Sequence, residues 1–186
     1  MKYSLGSKTI TYPLPVFIVS SYDKKNVPNM MAASWGGICC SKPPLITISI
    51  QPKRYSFESI MHSQAFAVNI PSARYVKEAD YCGIYSGKDE NKFDSTGLTA
   101  LKSENVNAPV VLEFPFNIEC ELFKTVELGS HTQFIGEIKN ILCDEETLDF
   151  EKKPDIEKIE AIIYDYASRT YYSTGKKISD AYLKHK

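Results

Sequence analysis

Two long runs rich in β-branched and aromatic residues, Phe116 to Val126 and Gln133 to Cys143, constrain the fold more than any other feature. Between them stands Gly129-Ser130, a connection suited to a hairpin. The two runs therefore read as a pair of long antiparallel strands. Other short runs of the same character precede them. Val16 to Ser21 closes on the turn-forming Asp23-Lys24-Lys25-Asn26, and Asn29 to Gly36 follows as its hairpin partner. Leu45 to Ile50 enters through Pro43-Pro44, which cannot donate to a ladder and so mark its start. Ala65 to Ile70 and Ile162 to Tyr166 read as further strands.

Helical spacing is confined to short stretches. Phe57, Ile60 and Met61 share one face of a helix over Lys53 to His62. Val76, Ala79 and the region of Cys82 fit a second helix that stops near Gly83. Ile178, Ala181 and Tyr182 suggest a short closing helix over Lys176 to Lys184, and the polar stretch Ser86 to Asn107 reads as a long loop. Many strands joined mostly by hairpins, with few helices, predict a mainly β fold, an antiparallel barrel of Greek-key character. A doubly wound sheet would need repeated βαβ units and a glycine-rich first turn. Neither GxGxxG nor GxxxxGK[ST] occurs.

Composition narrows the chemistry. The 186 residues carry a net charge of -1, so no electrostatic footprint for nucleic acid is visible, and no nucleic-acid partner is expected. No apolar run approaches the roughly 20 residues of a membrane helix, and Met1 to Ile10 lacks a signal-type core. The five cysteines, Cys39, Cys40, Cys82, Cys120 and Cys143, show no zinc spacing, and free thiols fit a cytoplasmic protein. His62, His131 and His185 have no ligand spacing, and no metal site is expected. A GxSxG elbow is absent too. The whole chain, 1–186, is expected to be one domain, with 150–186 a C-terminal extension packed on the barrel or on a partner subunit.

Three segments could carry chemistry. In the first, Asn29-Met30-Met31-Ala32-Ala33-Ser34-Trp35, small residues allow a flat ligand close to the backbone. Trp35, the single tryptophan, could stack near a planar ring or anchor the core. In the second, Ser49-Ile50-Gln51-Pro52-Lys53-Arg54-Tyr55-Ser56, a strand runs into a helix start bearing Lys53, Arg54 and Ser56. Free N–H groups beside cations suit a phosphate, and a solvated helix start capped by serine is the plainer alternative. The third runs from Asp80 through Gly83 and Ser86-Gly87 to Asn91-Lys92-Phe93. There Lys92 is either a cation offered to an anionic ligand or a solvated loop lysine.

Taken in this order, the segments resemble the flavin reductase-like, FMN-binding split-barrel family, and within it the flavoredoxin type. Pro15-Val16, Phe66-Ala67-Val68-Asn69, Gly129-Ser130-His131 and Phe134-Ile135-Gly136-Glu137-Ile138 extend the resemblance over roughly Pro13 to Leu148. It implies a homodimer with FMN near the subunit interface. Carried over, Asn29, Met30, Met31, Ala32, Ser34 and Trp35 border the ring and ribityl chain, with Ser49 and Ile50 from the neighbouring strand. Lys53, Arg54 and Ser56 hold the phosphate, and Lys92 approaches the ring from the loop. His131 lies beside the nicotinamide of an NAD(P)H donor, where many relatives have Asp in place of Ser130. Tyr171 or Tyr172, in a tail similar to flavoredoxin-type tails, is expected to cover the flavin. Lys92 and His131 are the catalytic candidates.

The expected activity is an oxidoreductase passing electrons from a nicotinamide or protein donor through FMN to an acceptor. A non-enzymatic FMN electron carrier and a flavin-free β-barrel binding module are the alternatives.

Overall fold

A computed structural model describes residues 1–181. Its strands are β1 (Leu14–Pro15), β2 (Phe17–Tyr22), β3 (Pro28–Ala33), β4 (Gly36–Ser41), β5 (Pro44–Ile50), β6 (Ala65–Ile70), β7 (Ala100–Lys102), β8 (Pro109–Val111), β9 (Phe116–Glu127), β10 (Thr132–Cys143), β11 (Ile162–Asp165) and β12 (Thr170–Ser173). The helices are α1 (Tyr55–Ser63), α2 (Val76–Ile84), α3 (Lys92–Thr96) and α4 (Ile156–Ile159). Strands dominate, and the mainly β expectation holds.

Seven strands form one antiparallel sheet in the order β3-β2-β6-β9-β10-β5-β4. The long hairpin is its centre: β9 and β10 pair from Phe116↔Cys143 to Glu127↔Thr132, and Gly129 sits at φ +85 in the connection. Positive φ is free of steric cost only for glycine, so this residue sets the turn. The sheet curls until its ends meet. They are linked through the corner at Ser34-Trp35, where a main-chain hydrogen bond from Ser49 N–H to the Trp35 carbonyl, 2.8 Å, continues the β4–β5 pairing beyond Gly36↔Ile48.

Alternation along β2 divides the apolar residues between two cores. Phe17 and Val19 point into the barrel with Ile46, Ile48, Phe66, Ile118 and Phe134. Val16 and Ile18 point outward, beneath α2 and α3, with Met30, Cys82, Phe93 and Phe114. Between the layers lies a buried polar junction. The Asn69 side chain donates to the Ile18 carbonyl (2.7 Å) and the Ser20 hydroxyl (2.9 Å), and accepts from Val111 N–H and the Asn117 amide. All its hydrogen-bonding capacity is matched, which makes its burial tolerable.

Several expectations need correction. The run Asn29 to Gly36 is not one strand: β3 ends at Ala33, and a separate strand, β4, begins at Gly36. The Gly36 backbone lies so close to β5 that a Cβ there would fall 2.3 Å from the Thr47 carbonyl oxygen. The stretch from Ser86 to Asn107 is not all loop, because Asn91 caps α3 by accepting from Phe93 N–H, and β7 follows. No helix forms over 176–181, and the rest of that predicted helix lies outside the described residues. The segment after 150 packs on the barrel through β11, which pairs with β1, and through Ile162 in the outer core. Among the described residues no helix is long and apolar enough to cross a membrane.

Candidate functional site

The hairpin turn after β2 and the start of α1 meet at one place because of two side chains. Asp23 accepts from Lys25 N–H and Val27 N–H, both at 2.8 Å, which shapes the turn, and its other oxygen accepts from the Tyr55 hydroxyl at 2.7 Å. One strand residue further in, the Asn29 amide donates to the buried Ser56 hydroxyl at 2.8 Å. These bonds draw the first turn of α1 against β3. No side chain caps that helix start, where Arg54 stands in extended conformation. Unpaired N–H groups there present partial positive charge.

The result is a pocket of about 190 Å³ lined by Asn29, Met31, Ala32, Lys53, Arg54, Ser56, the α2 end from Cys82 to Gly87, and Lys92. Three cations line it, and among its described lining residues none is acidic. Lys53 and Arg54 are exposed at the rim, whereas Lys92 is only 2% exposed. The Lys92 ammonium donates to the carbonyls of Cys82 (3.2 Å) and Tyr85 (3.1 Å), closing the C-terminal end of α2. Burial lowers its pKa from the ordinary lysine value. Cys82, also in this wall, is no thiolate at neutral pH: burial pushes it up to about 11.

Two features make the pocket suited to a phosphorylated, hydroxyl-bearing ligand. The cations and the open helix start match an anion. Asn29 Oδ1 is buried without a hydrogen-bond partner in the protein, and an acceptor in that state calls for a donor such as a hydroxyl.

A second, larger cleft of about 630 Å³ opens at the other end of β3. Ser34, Trp35, Ser49 and Gln133 line it, with the N-terminal segment from Lys8 to Pro15 across from them. Trp35 is half-buried rather than a core anchor, and its ring lies 4.8 Å from that of His131, tilted by 37°. The Ser130 hydroxyl is 2.9 Å from His131 Nδ1 and steadies the imidazole.

The predicted residues thus divide. Asn29, Met31, Ala32, Lys53, Arg54, Ser56 and Lys92 come together in the first pocket, and Ser34, Trp35 and Ser49 in the cleft, with His131 against Trp35. Met30 and Ile50 do not join them: at 0% and 1% exposure, their side chains fill the outer core and the barrel interior. Alternation along each strand sends these residues to the face away from the ligand. Tyr171 is elsewhere too. Its hydroxyl donates to Asp80 at 2.9 Å and its ring packs near Tyr164, so it braces α2 and lines neither cavity. Lys92 is not a loop residue but the first residue of α3.

Sequence reasoning places Tyr55 and Gly87 in the candidate segments without a role, and misses the N-terminal segment as a wall of the cleft. Gly87 carried a readable signal, a glycine just past a helix end. Lys8 to Pro15 carried none, because nothing local tells a polar segment what it will lie against.

The sequence model described as flavin reductase like domain matches residues 9–173. Among solved structures, the flavoredoxin of Desulfovibrio vulgaris (Miyazaki F) superposes with a TM-score of 0.94 at 48% identity, with 98% of each chain covered. Flavoredoxin from Methanosarcina acetivorans has a TM-score of 0.91 at 28% identity, covering 98% of this chain and 96% of that one. An uncharacterized protein of Archaeoglobus fulgidus is 34% identical over 145 residues, which is 78% of this chain and 80% of that protein. With its barrel, its basic pocket and these relatives, the chain belongs to the flavin reductase-like domain family, a family of flavin-binding oxidoreductases.

Proposed function

We propose that the chain binds FMN and passes electrons through it from a nicotinamide or protein donor to an acceptor. The observation that carries this reading is the first pocket: three cations and a helix start at one end of β3, with the Trp35 cleft at the other. From Asn29 to Ser34 five residue steps of about 3.3 Å span roughly 16 Å, about the length of a ribityl phosphate joined to a tricyclic ring.

On this reading Lys53, Arg54 and Ser56 hold the phosphate. Asn29 Oδ1 accepts from a ribityl hydroxyl, and Ser34 and Trp35 border the ring. Bound FMN supplies hydride and single-electron chemistry, which the side chains of this protein lack. Lys92 is assigned to the anion-holding end, among Lys53, Arg54 and Ser56, instead of to the ring expected from the sequence. His131, pressed on Trp35 and steadied by Ser130, positions that ring wall for a donor entering the cleft.

The functional unit on this reading is a homodimer. Support comes from large apolar side chains left exposed on the barrel strands: Ile38 on the edge strand β4, Phe123 on β9 and Ile141 on β10. Sedimentation of the full chain tests this, with a dimer expected.

The test of the cofactor is an absorption spectrum of the purified chain before and after adding FMN. A bound-flavin spectrum is expected, and a chain that stays colourless in excess FMN overturns the proposal. Addition of NADH and NADPH then separates the two modes of action. Bleaching by either makes the chain a reductase. Bleaching only by a reduced protein donor favours a non-enzymatic carrier, a reading supported by the 48% identity to a flavoredoxin.

A further inference from the structure

A third cavity, of about 200 Å³, adjoins the basic pocket. Its character is opposite: Asp23, Asp89 and Glu90 line it, against Lys88 alone among cations. Asn29, Tyr55 and Gly87 belong to both cavities and form the wall between them.

This wall is tightly closed. The Asp23 carboxylate holds the Tyr55 hydroxyl at 2.7 Å, and the Ser56 hydroxyl holds the Asn29 amide at 2.8 Å. Gly87 fits between them only because it has no side chain: a Cβ would fall 2.0 Å from Asn29 Oδ1 and 3.0 Å from Tyr55 Cδ1. The Asp23–Tyr55 bond is persistent at neutral pH. Burial works to raise the Asp23 carboxyl, but its bonds from Tyr55, Val27 N–H and Lys25 N–H outweigh burial and hold it below the usual range. The Tyr55 hydroxyl is pushed up by the same bond and by burial, so it stays a donor.

We propose that Tyr55, backed by Asp23, is a specificity-determining residue that makes the basic pocket accept a flavin ending in a single terminal phosphate and reject one extended by a pyrophosphate-linked adenylate. The inference rests on the FMN reading above. FAD differs from FMN in carrying a second phosphate and an adenosine on the first phosphate. A pocket of about 190 Å³ offers no enclosed space for an adenylate beside the phosphate. The wall blocks continuation beyond the phosphate, and the carboxylates behind it repel a second anionic group. A terminal phosphate also presents more charge to Lys53, Arg54 and Lys92 than a diester does.

The experiment is equilibrium titration of the full chain with FMN, FAD and riboflavin, following flavin fluorescence at low and high salt. The wild type is expected to bind FMN at least about tenfold more tightly than FAD at low salt, and the preference shrinks as salt screens the carboxylates. In Tyr55→Ala the preference is expected to fall by about threefold or more, through stronger FAD binding relative to FMN. Tyr55→Phe keeps the ring and retains most of the preference. Asp89→Lys, an exposed change that leaves the wall intact, also lowers it and carries the test if Tyr55→Ala does not fold. A wild type that binds FAD within about twofold of FMN overturns the inference and leaves the FMN reading standing. So does a preference unchanged in Asp89→Lys and in any folded Tyr55→Ala. Riboflavin bound as tightly as FMN, or no flavin bound at all, overturns the reading itself.

Discussion

The Asn29 amide and the Ser56 hydroxyl, 27 positions apart in sequence, meet at 2.8 Å in a buried contact that joins β3 to the first turn of α1. Ser56→Ala leaves the amide with a second unmatched group, since Asn29 Oδ1 already has no partner in the protein. Loss of stability of about 1–3 kcal/mol is expected, read from urea unfolding. Asn29→Ala is expected to weaken FMN binding by about tenfold, as one hydrogen bond to a ligand hydroxyl is lost. The double variant should lose less than the sum, because the two changes remove one shared contact.

Lys92 links ligand and scaffold. Its ammonium is spent on the Cys82 and Tyr85 carbonyls, at the point where the chain leaves α2 to form the pocket wall. Lys92→Met removes both bonds and one pocket cation. FMN affinity is expected to fall by about tenfold or more, with stability down by about 1–3 kcal/mol. Lys92→Arg should not restore either, because the site is 2% exposed and has no room for a planar guanidinium. Titration calorimetry and thermal unfolding provide the two readouts. If Lys92 instead acts at the ring, the conservative expectation fails in a visible way: binding would hold while flavin reduction slowed.

Asp23 gives a pH signature. Its folded pKa lies below the ordinary 3.8. A carboxyl depressed on folding contributes stability that is complete above the unfolded value and is lost as pH falls through the folded one. Asp23→Asn keeps an acceptor for the turn but removes the titration. Its stability deficit against the wild type is therefore expected to be full above pH 3.8 and to narrow at lower pH, measured by urea midpoints across the acid range.

Gly136 tests the barrel interior. A Cβ there would stand 2.5 Å from the Phe66 ring and 2.8 Å from Cys120 Cβ, both in the core of the barrel. Gly136→Ala is expected to destabilise by about 1–3 kcal/mol through overpacking, seen as a lowered Tm. The backbone conformation itself is not the obstacle, so trimming the Phe66 ring in the same chain (Phe66→Leu) should make Gly136→Ala less costly than it is in the wild type.

Local pattern was enough to find the long hairpin, because β9 and β10 are made of β-branched and aromatic residues with one glycine connection between them. It was enough for α1, α2 and most barrel strands as well. It failed at β4, where Gly36-Gly37-Ile38-Cys39-Cys40-Ser41 has little alternation, and only pairing with β5 makes it a strand. The short α3 was hidden in a polar stretch because its cap is a single asparagine. At the site, residue type and order identified the cations, Ser56 and Trp35. They could not say which face of a strand a residue would take, and the side chains of Met30 and Ile50, which the resemblance places beside the flavin, lie in the cores. Nor could they show that Lys92 would be occupied by the carbonyls of α2, a contact set by how the outer layer packs.

The corner at Trp35 has a dynamic consequence. The hydrogen bond from Ser49 N–H to the Trp35 carbonyl continues the β4–β5 ladder one step beyond Gly36↔Ile48, beside the residue that lines the larger cleft. The end of a ladder opens more readily than its middle. The Ser49 amide is therefore a natural reporter of the cleft: its hydrogen exchange should slow when a planar ligand lies against Trp35, while amides in the middle of β9 keep their rate.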